Sequence, residues 1–175
     1  MKKSVKTITM TGICTAILCI LSAIAVYIGQ IPYTLALIGV FLIGGILSPI
    51  YAGMACLCYL LLGAIGLPVF SGFSGGFGTL FGPTGGFLLA YPFMAMLLSW
   101  IRTRLKNRTA GLLIGMILAL LIGYAFGTGW FMLTTKSTFF TAATTCIFPF
   151  FWLDGIKIAV SLIILKTYTK LHFAS

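Results

Sequence analysis

Asp154 and Lys157 carry the sharpest chemical signal in the sequence. Asp154 is the one acidic side chain among 175 residues. It lies in an apolar run, and an i, i+3 spacing puts it and Lys157 on one face of a helix. A charge inside a membrane helix costs a few kcal/mol, so it is usually paired and functional. A carboxylate accepts hydrogen bonds from N–H groups, and an ammonium donates to carbonyl or carboxylate oxygens. Together they suit a small polar ligand that carries both kinds of group. The competing reading is a local ion pair that fastens helices, although a neutral hydrogen-bonded pair would do that at lower cost.

The second signal is the segment from Gly66 to Gly86, Gly-Leu-Pro-Val-Phe-Ser-Gly-Phe-Ser-Gly-Gly-Phe-Gly-Thr-Leu-Phe-Gly-Pro-Thr-Gly-Gly. Glycines such as Gly75 and Gly76 permit positive φ and close backbone approach. Phenylalanines such as Phe70 and Phe77 supply flat apolar surface for a ring. Above the Asp154–Lys157 pair this segment would make a lid that excludes water. The alternative is an interfacial loop without a ligand role. It is not a nucleotide loop: Gly76-Phe-Gly78-Thr-Leu-Phe81 lacks the last glycine of G-x-G-x-x-G and follows no strand.

Other chemistry is excluded or unsupported. There is no G-x-x-x-x-G-K-[ST] for ATP hydrolysis and no H-E-x-x-H. One carboxylate cannot perform two-carboxylate acid–base work. The cysteines Cys14, Cys19, Cys56, Cys58 and Cys146 lie in or beside apolar segments without a Cys-x-x-Cys, and read as small packing residues. His172 reads as a solvated tail residue. Neither a metal site nor an enzyme is expected.

Composition determines what must position these residues. Apolar residues make up 61% and charged residues 7% of the chain. So little charge cannot cover a soluble surface; the chain's solvent is lipid, crossed by apolar helices of about 20 residues. The first apolar run is too long for a signal-peptide h-region and reads as a retained helix. Six helices are expected in one domain, 1–175. They span Val5 to Gly29, Thr34 to Leu47, Tyr51 to Gly66, Pro83 to Trp100, Thr109 to Leu133 and Phe148 to Leu171. Gln30-Ile31-Pro32-Tyr33 forms the first outer turn and Ser48-Pro49 an inner turn. Outer connections run from Leu67 to Gly82 and from Thr134 to Ile147. By helix rise, Asp154 lies about 9 Å below the outer end of the last helix and Lys157 about 4.5 Å deeper.

The net charge of +10 is distributed as topology rather than as a nucleic-acid-binding face. The clusters are Lys2, Lys3 and Lys6; Arg102, Arg104, Lys106 and Arg108; and Lys166 and Lys170. With six spans all three fall on one side, and only Lys136 falls in a loop on the other. Lys- and Arg-rich loops stay cytoplasmic, which puts both termini inside. On the first helix Gly12 and Ala16 are four apart, as are Cys19 and Ala23. Such spacing permits close helix packing, either with a partner membrane protein or within this chain.

Gly-Leu-Pro-Val-Phe at 66–70, Gly-Gly at 75–76, Gly-Pro-Thr-Gly-Gly-Phe at 82–87, Asp-x-x-Lys at 154–157 and Ile-Pro-Tyr-Thr at 31–34 together resemble the BioY family. The resemblance covers about residues 8 to 170. Its members are biotin-binding S components of energy-coupling-factor (ECF) transporters, six-helix proteins of the bacterial cytoplasmic membrane. The resemblance implies biotin as transported ligand, held beneath the loop after the third helix. Asp154 and Lys157 would meet its ureido and carboxylate groups. Thr34, Phe70, Gly75, Gly76, Phe77 and Tyr91 would complete the site. It also implies docking through Gly12, Ala16 and Ala23 to a membrane T component with two ATPase subunits, and no cofactor. The sequence departs from the family pattern at Ala36, where many members carry Gln, and at Phe87, where Tyr is more usual. Alternatives are an S component for thiamin or riboflavin, a structural or channel-forming membrane protein, and a small membrane enzyme.

Overall fold

A computed structural model describes residues 2–28, 31–105 and 108–173. Gly29 and Gln30, at the expected end of the first helix and in the first outer turn, and Lys106 of the basic loop lie outside the described residues. So do the side chains of Lys2, Lys3, Arg108 and His172.

The chain is a helical bundle. Its elements are α1 (Lys2–Ala23), a hairpin of β1 (Ala25–Ile28) and β2 (Ile31–Thr34), α2 (Ala36–Ile46), α3 (Pro49–Ala64), α4 (Phe77–Phe81), α5 (Gly85–Arg104), α6 (Arg108–Thr135), α7 (Phe139–Cys146) and α8 (Phe151–Phe173). Among the described residues, three helical stretches are long and apolar enough to cross a membrane: Val5–Ala23, Gly85–Arg104 and Thr109–Thr135. Phe139–Cys146 and Phe151–Lys170 form a fourth apolar pair, bent by 45° at the break. The shorter apolar helices α2 and α3 complete the six expected helical segments.

The short helix α4 lies inside the expected outer connection from Leu67 to Gly82, and α5 runs from Gly85 to Arg104 rather than from Pro83 to Trp100. Two larger departures stand beside these. Helix α1 stops at Ala23 instead of continuing to Gly29, and Ala25–Ile28 pairs antiparallel with Ile31–Thr34, Val26 opposite Tyr33 and Tyr27 opposite Pro32. Val26, Tyr27 and Ile28 favour extended backbone, and Pro32 cannot supply a helical N–H. The apolar run concealed this switch, because hydrophobicity alone does not separate helix from strand. The expected outer connection from Thr134 to Ile147 contains α7, capped by the Thr138 hydroxyl, which accepts from the Thr141 N–H at 3.4 Å. The last long helix therefore starts at Phe151, after Pro149, rather than at Phe148.

The bundle is apolar outside as well as inside. Ile13, Ile17 and Ile20 of α1, Met54, Leu57 and Leu61 of α3, and Ile114, Ile117 and Leu121 of α6 are all exposed. Rows of exposed aliphatic side chains on successive turns are expected where the surrounding medium is hydrocarbon. Inside, Leu18, Val40, Phe41, Ile43, Tyr59, Met94, Leu98 and Met116 form one core across α1, α2, α3, α5 and α6. Small residues allow the close packing of α6 on α5: a Cβ on Gly115 would stand 2.5 Å from the Leu98 side chain, and one on Gly123 would stand 2.9 Å from the Met94 sulfur.

At one end of α2 the Leu47 carbonyl accepts hydrogen bonds from the Ser99 hydroxyl at 2.6 Å and from Arg102 Nη2 at 3.0 Å. A cation there complements the negative end of the α2 dipole. At the other end, the Gly66–Gly86 segment folds back on α3. The Gly76 N–H, with Gly76 at φ +90°, donates to the Gly63 carbonyl at 2.6 Å. A Cβ on Gly75 would collide with the Leu67 carbonyl. Glycine is needed at both positions for the chain to close down on the helix end.

Candidate functional site

Asp154 sits in the first turn of α8, where the helix dipole favours a negative charge. One turn further, Lys157 Nζ stands 2.9 Å from Asp154 Oδ1, with both side chains buried. The other carboxylate oxygen, Oδ2, accepts the hydroxyl of Tyr124 from α6 at 2.6 Å. On its far side the Lys157 ammonium lies 3.8 Å from the centre of the Tyr33 ring, a cation–π contact from β2. Tyr33 stacks on Phe150 at a centroid distance of 6.0 Å and an interplanar angle of 6°. Three elements thus hold one buried charge pair from different directions.

This pair forms part of the wall of a cavity of about 100 Å³. The hairpin and the start of α2 contribute Ile31, Tyr33, Thr34 and Leu37. From α5 come Phe87, Leu88, Tyr91 and Met94, from α6 Leu120, Gly123 and Tyr124, and from the α7–α8 elbow Cys146 and Phe150. The loop above α3 contributes Ser71 and, at its far end, Thr84. Thr34 Oγ1 accepts from the Ala36 N–H at 3.3 Å, and Tyr91 lines the same cavity from α5. The arrangement is a mostly apolar and aromatic cleft with a few converging polar groups, the form of a small-molecule site.

Of the residues singled out from the sequence, Asp154, Lys157, Thr34 and Tyr91 come together on this cavity. The lid residues do not. Phe70 is fully buried, edge-on to Tyr59 at 5.4 Å and against Gly63, so it anchors the loop to α3 instead of facing the cavity. Phe77 is 63% exposed, and Gly75 and Gly76 shape the backbone. On α1, Gly12 and Ala16 face outward, with open space around Gly12, whereas Ala23 is buried. Sequence reasoning missed Tyr124, Tyr33 and the loop hydroxyls Ser71 and Thr84. Tyr124 carried one usable signal, a polar-tipped ring at membrane depth between Gly123 and Gly127.

The fold and the site define a membrane-embedded helical bundle with a small, mostly apolar and aromatic cleft that holds a few polar groups. Residues 1–173 match the model of the BioY family, and the chain belongs to that family. It is 38% identical over 150 residues to the biotin transporter BioY2 of Lactococcus lactis, covering 86% of this chain and 82% of that one. It is 36% identical over 162 residues to the biotin transporter BioY of Thermotoga maritima, covering 92% and 94%. Among solved structures, the S-component for biotin from an ECF-type ABC transporter superposes with a TM-score of 0.90 at 28% identity, over 97% of this chain and 93% of that one. The likeness is to transport proteins rather than enzymes.

Proposed function

We propose that this chain binds biotin with high affinity and delivers it across the cytoplasmic membrane as the substrate-binding S component of an ECF-type transporter. The observation that carries the reading is the buried Asp154–Lys157 pair on the cavity wall, in a chain of the BioY family. A cyclic urea presents an N–H donor beside a carbonyl acceptor. Asp154 offers the complementary acceptor, and Lys157, beside it, the complementary donor. Tyr33, Phe87, Tyr91 and Phe150 supply flat apolar surface for the fused rings. Ser71 and Thr84, toward the loop, are hydroxyl partners for the valerate carboxylate.

The chain carries no motif for ATP hydrolysis, so the energy for release must come from elsewhere. The reading therefore includes a membrane T component and two ATPase subunits. The exposed positions Gly12 and Ala16 on α1 suit close approach by another membrane helix. The three Lys- and Arg-rich clusters in the sequence support an orientation with both termini on the cytoplasmic side and the loop above α3 and the cavity mouth outside. Purified protein titrated with biotin, desthiobiotin, thiamin and riboflavin tests the assignment. Saturable binding of biotin and desthiobiotin alone is expected. Preference for thiamin or riboflavin would overturn it.

A further inference from the structure

Asp154 has a partner on each carboxylate oxygen: Lys157 on Oδ1 at 2.9 Å and the Tyr124 hydroxyl on Oδ2 at 2.6 Å. The two partners come from different helices and hold the carboxylate as a fixed edge. Toward the cavity that edge presents one acceptor, Asp154, beside one donor, Lys157. A headgroup with a donor next to an acceptor matches it. A headgroup with two parallel N–H donors, such as a cyclic guanidinium, needs both carboxylate oxygens free to accept its fork. Here the Tyr124 hydroxyl already holds Oδ2, so the acceptor left for a ligand is the second site of Oδ1, enough for one N–H but not for a fork, and the adjacent ammonium repels a second cation. Tyr33, against the ammonium, and Tyr91, elsewhere on the cavity wall, are phenols and add no second acceptor charge.

We infer that Tyr124 is a specificity-determining residue: by occupying Asp154 Oδ2 it restricts the site to neutral cyclic-urea headgroups and excludes cationic cyclic-guanidinium ones. Tyr124 is a positioning residue that acts through Asp154. The inference rests on the biotin reading above and deepens it. Without the hydroxyl, Oδ2 becomes available beside the second acceptor site of Oδ1, the carboxylate can accept a fork, and discrimination narrows. Phenylalanine at 124 preserves the ring that packs on the cavity wall, so loss of packing is not the variable.

The test compares biotin with 2-iminobiotin, whose cyclic guanidinium is cationic at neutral pH, on wild-type protein and on Tyr124→Phe. Wild type is expected to bind biotin at least about tenfold more tightly than 2-iminobiotin, and Tyr124→Phe to shrink that ratio by about tenfold, the scale of one hydrogen bond to a charged group. A merely structural role for Tyr124 would weaken both ligands equally and leave the ratio unchanged; that result overturns the inference. Equal affinities in the wild type overturn it too, and they decide the matter even if the variant does not fold. A wild type that binds 2-iminobiotin weakly and biotin tightly, with an unaltered ratio in the variant, removes Tyr124 from the account and leaves the biotin reading intact. A wild type that binds neither ligand removes both.

Discussion

Removing one member of a buried ion pair and removing both have different consequences. Lys157 is compensated by Asp154 and by the Tyr33 ring. Lys157→Met leaves a buried carboxylate without its cation and is expected to cost about 3–5 kcal/mol, whereas the double change Asp154→Leu with Lys157→Met is expected to recover most of that loss. Thermal unfolding in detergent checks both, and the double variant should be stable yet unable to bind biotin. Gly127 offers a second residue-scale test. A methyl group there would meet the Phe87 ring, which lines the cavity. Gly127→Ala is expected to push that ring inward and lower biotin affinity severalfold in a titration. Asp154 and Lys157 were legible in the sequence because charge is scarce in this chain. Tyr124 and Tyr33 were not, because tyrosines in apolar runs are usually plain packing residues, and only the fold shows which ones reach a charge.

At the scale of elements, periodicity located the helices but not their interruptions. The hairpin at Ala25–Thr34 and the elbow after α7 both sit inside apolar stretches, and both turn side chains toward the cavity: Tyr33 and Thr34 from the first, Phe150 from the second. The Gly66–Gly86 loop was recognisable as a cover from its glycines. The roles of its rings were not, since sequence gives no sign that Phe70 plugs into α3 over Gly63 while Phe77 points out. Gly63→Val would drive the Phe70 ring off its seat. Overpacking of this kind costs about 1–3 kcal/mol. The expected outcome is a lower unfolding temperature and faster release of labelled biotin in a chase experiment, because the cover loses its anchor. At the opposite end, Ser99→Ala removes one of the two donors on the Leu47 carbonyl and is expected to cost about 1 kcal/mol in the same unfolding assay.

For the whole molecule, the bundle is inverted relative to a soluble protein: aliphatic rows face outward, and the one acidic side chain is buried. This inversion was fully legible, since 61% apolar content with 7% charge admits few other solvents than lipid. The orientation in that solvent is a separate matter and rests on the cations. In cells, with the exposed Cys58 replaced by Ser, a cysteine at Lys136 is expected to react with a membrane-impermeant maleimide added outside, and one at Arg104 only after permeabilisation. The opposite labelling pattern would reverse the assigned topology.

Recognition of the ligand depends on a carboxylate kept under cover to grip a urea group. The most direct measurement is calorimetric titration of biotin into purified wild-type protein and into Asp154→Asn, each first shown to be folded by its unfolding transition. Loss of a charge-assisted hydrogen bond predicts that the variant binds at least about tenfold more weakly. Equal affinities for the two proteins would contradict the account, because biotin would then be held by something other than this acid.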